Sequence, residues 1–241
     1  MMNGKKTAAV VLSGGRGKRM GADVPKQYME LCGRPLITYA LQVFEESFID
    51  TVVLVCGAGD EEYCRKEIAE RCGFEKIERI VPGGKERYHS VAAGIAALPE
   101  DTDYVFIHDG ARPFVTQGIL KRALDCVEEC DACVVGMPVK DTVKIVDADG
   151  IVQTTPNRDF VWQIQTPQVF SYPLFRGAME KLLAEEERLL SEGIVITDDA
   201  MVLEQMTGHP VRVTEGSYSN IKVTTPEDLT AAELFLARAG Q

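Results

Sequence analysis

The chain has 241 residues, of which 45% are hydrophobic, and this is sufficient for a sizeable buried core in a globular protein. Its formal net charge of −11 excludes a general binder of nucleic acids or anionic membranes, because such partners require a basic surface. We therefore predict no nucleic-acid partner and no membrane partner. An anionic substrate would have to be held by a local cluster of cations.

The sequence also predicts the compartment. No apolar run is long enough to cross a bilayer, and the N-terminus enters the first predicted strand without a signal-peptide core or cleavage site. Seven cysteines, an odd number scattered along the chain, are typical of reduced thiols rather than of a disulfide framework. We expect a cytoplasmic protein.

A strand of small and β-branched residues is predicted at 8–12, and a glycine-rich loop follows it. Glycine lets such a loop turn sharply and brings backbone N–H groups close to a ligand. The segment combines three glycines with four cations that suit phosphate groups, namely Gly14, Gly15, Gly17, Arg16, Lys18, Arg19 and Lys26. This pattern predicts a phosphate-binding loop.

The loop matches neither of two common phosphate-binding motifs. A Walker loop requires a hydroxyl residue after its lysine, whereas Arg19 follows Lys18. The dinucleotide fingerprint requires a third glycine where Met20 stands. The segment is therefore a third kind of phosphate loop or, as the alternative, an ordinary glycine-rich turn with solvated cations.

Further along the chain, apolar runs predict strands at 51–56, 76–81, 104–108 and 132–137, with helical patterns between them. Alternation of this kind implies right-handed crossovers between parallel strands. We predict an α/β fold with a mostly parallel sheet that is covered by helices on both faces.

The alternation breaks after Pro138. Asp149-Gly150 separates two β-rich runs within residues 143–154, which is a hairpin signal. Since an isolated hairpin is marginal in water, it should pack on a second copy of the chain or, alternatively, on its own subunit. Helices are then predicted at 173–192, at 197–206 and from Pro226, with late strands at 211–213 and 221–223.

Polar residues that follow the apolar runs are candidates for the site, because open parallel sheets bind ligands beyond the carboxyl ends of their strands. After the strand at 76–81, Gly83 and Gly84 permit close backbone approach, and the hydroxyl of Ser90 could read a base edge. Arg87 adds a cation. The alternative is a simple turn followed by a solvated arginine.

Asp109 and Arg112 follow the strand at 104–108. Asp109 is placed to meet a hydrated magnesium ion that carries phosphates, and Arg112 could bind a second phosphate. A cap or turn role is the alternative for Asp109. His108 is predicted to be a structural histidine, because no serine or cysteine pattern supports a nucleophilic triad.

Two later motifs leave their roles open. Lys222, within the short apolar run 221–223, is either an edge-strand charge or a residue aimed into the crevice. Asp198 and Asp199 suit the N-terminus of a helix better than a metal site.

Seven motifs in order resemble one family over about Val10 to Leu229. They are Leu-Ser-Gly-Gly-x-Gly-x-Arg-Met with Pro-Lys-Gln, Gly-Gly-x-x-Arg-x-x-Ser-Val, His-Asp-Gly-Ala-Arg-Pro, Pro-Val-Lys-Asp-Thr, Gln-Thr-Pro-Gln, Thr-Asp-Asp-Ala and Asn-Ile-Lys-Val-Thr-x-Pro-Glu-Asp-Leu. The family is 2-C-methyl-D-erythritol 4-phosphate cytidylyltransferase. Each motif is weak by itself, and the ordered set is specific.

The resemblance implies a Rossmann-like three-layer fold of the nucleotide-diphospho-sugar transferase type, with one domain over residues 1–241. A protruding β-arm at about 139–160 would form a homodimer. The implied reaction transfers CMP from CTP to methylerythritol phosphate in non-mevalonate isoprenoid precursor biosynthesis, with Mg²⁺ or another divalent cation. The alternatives are a ribitol-5-phosphate cytidylyltransferase of the same fold and a non-catalytic nucleotide-binding module.

The resemblance also implies roles for individual residues. Catalytic cations would be Arg19, Lys26 and Lys222. Residues that bind CTP would be Ser13, Gly14, Gly15, Gly17, Gly84, Lys85 and Ser90. The acceptor site would comprise Asp109, Arg112, Thr166 and, from the partner subunit's arm, the residues at positions Thr142 and Arg158. The CTP phosphates would supply most of the ligands of the metal ion, and Asp109 would contact the ion indirectly.

Overall fold

Strands and helices alternate along residues 4–15 and 25–239, which the computed structural model describes. The strands are β1 (Thr7–Ser13), β2 (Glu30–Leu31), β3 (Arg34–Pro35), β4 (Thr51–Cys56), β5 (Ile77–Pro82), β6 (Tyr104–Asp109), β7 (Ala132–Pro138), β8 (Ile145–Val146), β9 (Val152–Thr154), β10 (Trp162–Ser171) and β11 (Arg212–Glu215). The helices are α1 (Ile37–Glu45), α2 (Glu61–Tyr63), α3 (Arg87–Ala96), α4 (Gln117–Cys130), α5 (Tyr172–Ala184), α6 (Glu186–Ser191), α7 (Asp199–Thr207) and α8 (Pro226–Ala239). A π-helical segment, Cys64–Glu70, continues α2.

Seven strands form one mixed sheet in the order β11-β7-β10-β6-β1-β4-β5. All neighbours pair in parallel except β10, which runs antiparallel to both β6 and β7. The predicted strand at 51–56 is β4, and the predictions for β1, β5, β6 and β7 differ by at most one residue at either end. The predicted mostly parallel α/β fold is confirmed.

Helices cover both faces of the sheet because β1 and its neighbours are apolar on both sides. Ala9 and Val11 of β1 pack with α1 and α4, whereas Ala8 and Val10 pack with α3 and α5 on the other face. This division follows from the two-residue period of a strand. Buried parallel strands therefore read as continuous apolar runs, which is why the sequence predicts them well.

Three predictions for the C-terminal half were wrong or incomplete. The long strand β10 was not predicted. The helix at 173–192 is two helices, α5 and α6, which meet at Glu185. Residues 221–223 form no strand, and the N–H group of Val223 instead donates to the carbonyl of Ala111 at 2.8 Å.

The predicted hairpin is present between β8 and β9. Gly150 has a φ of +80°, which suits glycine in the turn, and the Asp147 carboxylate accepts from the N–H group of Ile151 at 2.9 Å. We call residues 139–160 the hairpin arm. Its apolar side chains are largely exposed, with Ile151 at 62% and Phe160 at 83%. A single chain leaves this apolar surface uncovered.

The structure allows two predictions to be examined, namely that no segment crosses a membrane and that the cysteines are reduced. Within residues 4–15 and 25–239, no helix is both long enough and apolar enough to cross a membrane. The seven cysteines are all described, and all are free. Cys56 and Cys133 are buried among apolar side chains, the usual place for a free cysteine.

Candidate active site

Four parallel strands end at the same edge of the sheet. Ser13 at the end of β1 lies opposite Cys56 of β4, and Leu12 lies opposite Asp109 of β6. Pro82 at the end of β5 also lies opposite Cys56. Residues at and after these strand ends line a cavity of about 640 Å³. This is the edge at which open parallel sheets bind ligands.

The cavity brings nine of the predicted site residues together. They are Ser13, Gly14, Gly15, Lys26, Gly84, Lys85, Ser90, Asp109 and Lys222. Gly17 and Arg19 lie outside the described residues. The described lining does not include the other four predicted residues, namely Arg112, Thr142, Arg158 and Thr166.

Ser13 fixes the start of the glycine loop from within the protein. Its buried hydroxyl donates to the carbonyl of Val55 at 3.0 Å and lies 3.3 Å from the hydroxyl of Tyr28. The Gln27 amide donates to the carbonyl of Ser13. Among the described residues, no atom lies within 4 Å of a β-carbon placed at Gly15.

The second glycine pair packs against the N-terminus of α3. A β-carbon at Gly84 would clash with the β-carbon of His89, and one at Gly83 would lie 2.7 Å from Ser90 Oγ. Ser90 Oγ accepts from the N–H group of Gly84 at 3.1 Å. The Ser90 hydroxyl therefore holds the turn against the helix, and its contact with a base edge stays a prediction.

Asp109 is a buried carboxylate that faces three cations. Its Oδ2 lies 2.7 Å from Lys222 Nζ and 4.0 Å from Arg112 Nε, and its Oδ1 lies 3.5 Å from Arg87 Nε. Burial alone would raise the pKa of Asp109, but the charges of Arg87, Lys222 and Arg112 outweigh burial and hold this pKa below its ordinary value. Asp109 is therefore ionised at neutral pH.

Lys222 points into the cavity, which resolves the two interpretations of its position. The bond from the N–H group of Val223 to the carbonyl of Ala111 fixes the neighbouring backbone, and Lys222 reaches the Asp109 carboxylate. The lysine side chain stays 38% exposed. It can therefore meet a ligand that enters the cavity.

His108 organises the backbone beside Asp109. Its Nε2 lies 3.1 Å from the carbonyl of Arg112 and must donate to it, so in the neutral ring Nδ1 accepts from Thr166 Oγ1 at 3.1 Å. Thr166 Oγ1 in turn accepts from the N–H group of Asp109 at 3.1 Å. Burial lowers the pKa of His108 to about 4, which keeps the ring neutral. The predicted structural role of His108 is confirmed.

Arg112 and Asn220 connect the Lys222 segment to β10. Arg112 Nη1 donates to the carbonyl of Asn220 at 2.9 Å, and the Asn220 amide donates to the carbonyl of Thr166 at 3.0 Å. Asn220 is fully buried. Its role was not predicted, although its place two residues before Lys222 in the Asn-Ile-Lys motif was a usable signal.

An ion pair between Arg87, which lines the cavity, and the buried Asp199 was also not predicted. Arg87 Nη1 and Nη2 contact the two carboxylate oxygens of Asp199 at 2.6 and 2.7 Å. Asp198 accepts from the N–H group of Met201 at 3.0 Å and caps α7, which confirms the predicted helix start. The pattern Asp198-Asp199 thus divides into a cap and a buried partner for Arg87.

Thr142 and Arg158 are exposed on the hairpin arm. Arg158 Nη1 donates to the carbonyl of Lys140 at 3.4 Å. The cavity lining among the described residues contains neither side chain. A single chain does not bring these two predicted acceptor-site residues together with Asp109.

The described residues hold no group of three or more His, Cys, Asp or Glu side chains that could hold a metal ion. Asp109, the predicted metal contact, faces Lys222 and Arg87 instead. Mg²⁺ at this position would need most of its ligands from elsewhere, because it takes six ligands in an octahedral arrangement.

A family model described as 2-C-methyl-D-erythritol 4-phosphate cytidylyltransferase matches residues 7–238. Curated proteins of that name are similar over nearly the whole chain. The protein of Lachnoclostridium phytofermentans is 44% identical over 96% of this chain and 97% of its own. That of Lachnospira eligens is 47% identical over 95% of this chain and 98% of its own.

Solved structures agree. A 4-diphosphocytidyl-2C-methyl-D-erythritol synthase from Anaerococcus prevotii superposes with a TM-score of 0.83 and 34% identity, covering 97% of this chain and 96% of its own. A 2-C-methyl-D-erythritol 4-phosphate cytidylyltransferase from Thermus thermophilus gives a TM-score of 0.73 and 28% identity, with 95% and 98% covered. The chain belongs to the 2-C-methyl-D-erythritol 4-phosphate cytidylyltransferase family.

Proposed function

We propose that the cavity is the site at which this chain transfers the cytidylyl group of CTP to 2-C-methyl-D-erythritol 4-phosphate and releases pyrophosphate. The observation that carries this proposal is the contact of Lys222 with Asp109 in a cavity that also contains the glycine loop and Lys26. A chain of net charge −11 needs such a local group of cations to hold two phosphorylated substrates.

The CTP side of the proposed site is formed by the two glycine segments. Gly14 and Gly15 follow β1 and would present backbone N–H groups to the triphosphate, with Lys26 beside them. Gly84, Lys85 and Ser90 would contact the cytosine base, mainly through backbone groups. The family resemblance adds Gly17 and Arg19 to this side.

The acceptor side is proposed at Asp109, Arg112 and Thr166. His108 bonds both Arg112 and Thr166, and Thr166 accepts from the N–H group of Asp109, so the relative positions of the three residues are fixed before a substrate binds. Such preorganisation favours a reaction that depends on orientation.

The hairpin arm is proposed to complete the acceptor side in a homodimer. Thr142 and Arg158 of one chain would reach the cavity of the other. The exposed apolar side chains of the arm support this proposal, because a solvent-exposed hairpin of this kind needs a surface to cover it. They are Ile145, Val146, Ile151, Val152 and Phe160.

The chemistry needs no covalent enzyme intermediate. An anionic oxygen of the acceptor phosphate attacks the α-phosphorus of CTP, and the bond from that phosphorus to the bridging oxygen breaks with its electron pair on pyrophosphate. No proton has to be removed from the acceptor. Lys26, Lys222 and Arg19 would stabilise the negative charge that builds up at the pentacoordinate phosphorus.

A divalent cation such as Mg²⁺ is proposed to arrive with the triphosphate. The single carboxylate of Asp109 fits an indirect contact to a hydrated cation better than a complete protein-built metal site. When bound, the cation would neutralise phosphate charge. Asp109 would orient its water shell.

Pyrophosphate release tests the proposal directly. The protein is incubated with CTP, Mg²⁺ and either 2-C-methyl-D-erythritol 4-phosphate or ribitol 5-phosphate, and the cytidylylated product is identified by mass spectrometry. We expect turnover with the first acceptor. Ribitol 5-phosphate is not favoured, since the family model and the relatives named above carry the methylerythritol name. Turnover with ribitol 5-phosphate alone, or with neither acceptor, would contradict the proposal.

A further inference from the structure

Arg87 stands between two carboxylates that have different surroundings. Its terminal nitrogens make a two-point contact with Asp199 at 2.6 and 2.7 Å, and its Nε lies 3.5 Å from Asp109. Asp199 is 1% exposed, whereas Arg87 lines the cavity. The guanidinium therefore links a buried carboxylate outside the cavity to the carboxylate inside it.

Asp199 is itself held by β10. The side-chain oxygen of Gln168 accepts from the N–H groups of Asp199 and Ala200, each at 2.9 Å, and its amide donates to Asp198 at 2.9 Å. Gln168 pairs in register with Ile107 of β6, two residues before Asp109. The two carboxylates are therefore attached to neighbouring strands, and their separation is set by the sheet.

This arrangement fixes where Arg87 points. A planar guanidinium in a two-point contact has its orientation set by the carboxylate. Without the charge of Asp199, Arg87 would be drawn towards Asp109, which already contacts Lys222. Arg87 and Lys222 would then compete for one carboxylate, and both Asp109 and the proposed catalytic lysine would leave their positions.

We infer that Asp199 is a positioning residue of the reaction, which acts through Arg87 to keep Asp109 and Lys222 in place. This inference rests on the proposed function. It assigns to Asp199 a role in catalysis without contact to substrate. It also explains why the Asp199 carboxylate is buried beside the cavity, where its desolvation is costly.

The test is a double-mutant cycle of Asp199→Asn and Arg87→Gln, with steady-state kinetics for both substrates. We expect Asp199→Asn to lower kcat/KM for the acceptor by about 10- to 100-fold, the effect of displacing a group by about 1 Å, while KM for CTP stays within about twofold. In the Arg87→Gln background, Asp199→Asn should cause no further loss, because the residue through which it acts is gone.

Glu204→Gln is the matched control. It removes one carboxylate charge from the exposed face of the same helix, α7, and leaves Gln168, Asp198 and the contact between Arg87 and Asp199 unchanged. We expect its activity to stay within about threefold of wild type. Equal losses in both single variants would assign the effect to the charge of α7 and overturn the inference.

Two further outcomes would overturn it. One is wild-type kinetics in a folded Asp199→Asn variant, and the other is losses that multiply in the double variant. If Asp199→Asn does not fold, the double variant decides, since it leaves no unpaired guanidinium, and activity far below Arg87→Gln would contradict the inference. A wild-type protein without turnover would instead contradict the proposed function.

Discussion

The cavity and the hairpin arm hold their predicted functional side chains in opposite ways. In the cavity, Asp109 is 8% exposed and faces three cations whose own positions are fixed by backbone and carboxylate contacts. On the arm, Arg158 is exposed and makes one long bond to a carbonyl. The difference indicates that one chain preorganises the cavity residues, whereas the same chain leaves the arm residues exposed.

Replacing Lys222 tests the preorganised side with the largest expected effect. We expect Lys222→Ala to lower kcat by about 10² to 10³, as is typical for the loss of one preorganised donor to a charged transition state. The melting temperature should change little, because the lysine side chain is 38% exposed and Asp109 keeps its contact with Arg87. Steady-state assays of pyrophosphate release measure kcat, and thermal unfolding measures the melting temperature.

Lys121→Ala is the control for this variant. Lys121 pairs with Asp125 on the exposed surface of α4, and neither residue lines the cavity. It should retain wild-type kinetics. Near wild-type turnover in Lys222→Ala would remove the lysine from the proposed chemistry.

The buried His108 makes the free energy of unfolding of the protein depend on pH. The pKa of His108 is about 4 in the folded protein against an ordinary 6.5, so the unfolded chain binds the proton first as the pH falls. The stabilisation is complete above about pH 6.5 and is lost towards pH 4, by roughly 3 kcal/mol at most. Urea unfolding at about pH 7 and about pH 4.5 measures it.

In His108→Gln this contribution to the pH dependence should disappear. His209→Gln is the control, since the ring of His209 contacts the adjacent Pro210 carbonyl and does not line the cavity. An unchanged pH dependence in His108→Gln would show that His108 is not the group that titrates.

Mixing two inactive variants tests whether the arm completes the partner's site. We expect Arg158→Ala to lower activity by about tenfold or more through the loss of one charged contact, while the protein stays dimeric. Mixed with an equal amount of Lys26→Ala, it should recover about a quarter of wild-type activity, since half of the dimers are mixed and each has one intact site. Sedimentation and pyrophosphate release measure the two effects.

No recovery in demonstrably mixed dimers would show that Arg158 and Lys26 act in the same chain. Dissociation of Arg158→Ala into monomers would instead assign Arg158 to the interface.

The smallest expected effect is on the arm surface. Ile151→Glu should weaken the proposed dimer and leave the melting temperature of the monomer nearly unchanged, because Ile151 is 62% exposed in a single chain. Asp149→Asn, at the tip of the same hairpin, is the control. A concentration series in the ultracentrifuge distinguishes them, and unchanged association of Ile151→Glu would argue against an apolar arm interface.

The sequence predicted the parallel strands well and the long antiparallel strand not at all. The run at 51–56 is apolar at every position because β4 is buried on both faces. β10 contains Gln165, Pro167 and Gln168, and a proline argues against a central strand. The structure accommodates these residues at an irregularity in register between Ile164 and Gln168.

The candidate site shows the same division. Gly84 and Asp109 come at or just after the ends of apolar strands, so the rule for strand ends finds them. The pair of Arg87 and Asp199 joins positions 112 residues apart, and no local pattern in one sequence reveals such a contact. The strand predicted at 221–223 failed for a related reason, because the partner that shapes this segment is the distant Ala111.

β10 has a further consequence for how arm mutations should be interpreted. The strand begins at Trp162, two residues after the exposed Phe160 of the arm, and carries Thr166 and Gln168 within its next six residues. At about 3.3 Å per residue, Thr166 lies about 20 Å along the chain from Phe160, the last residue of the arm. A substitution in the arm therefore lies close in sequence to the strand that contacts Asp109 and Asp199, and a loss of turnover in such a variant does not by itself indicate loss of the proposed dimer.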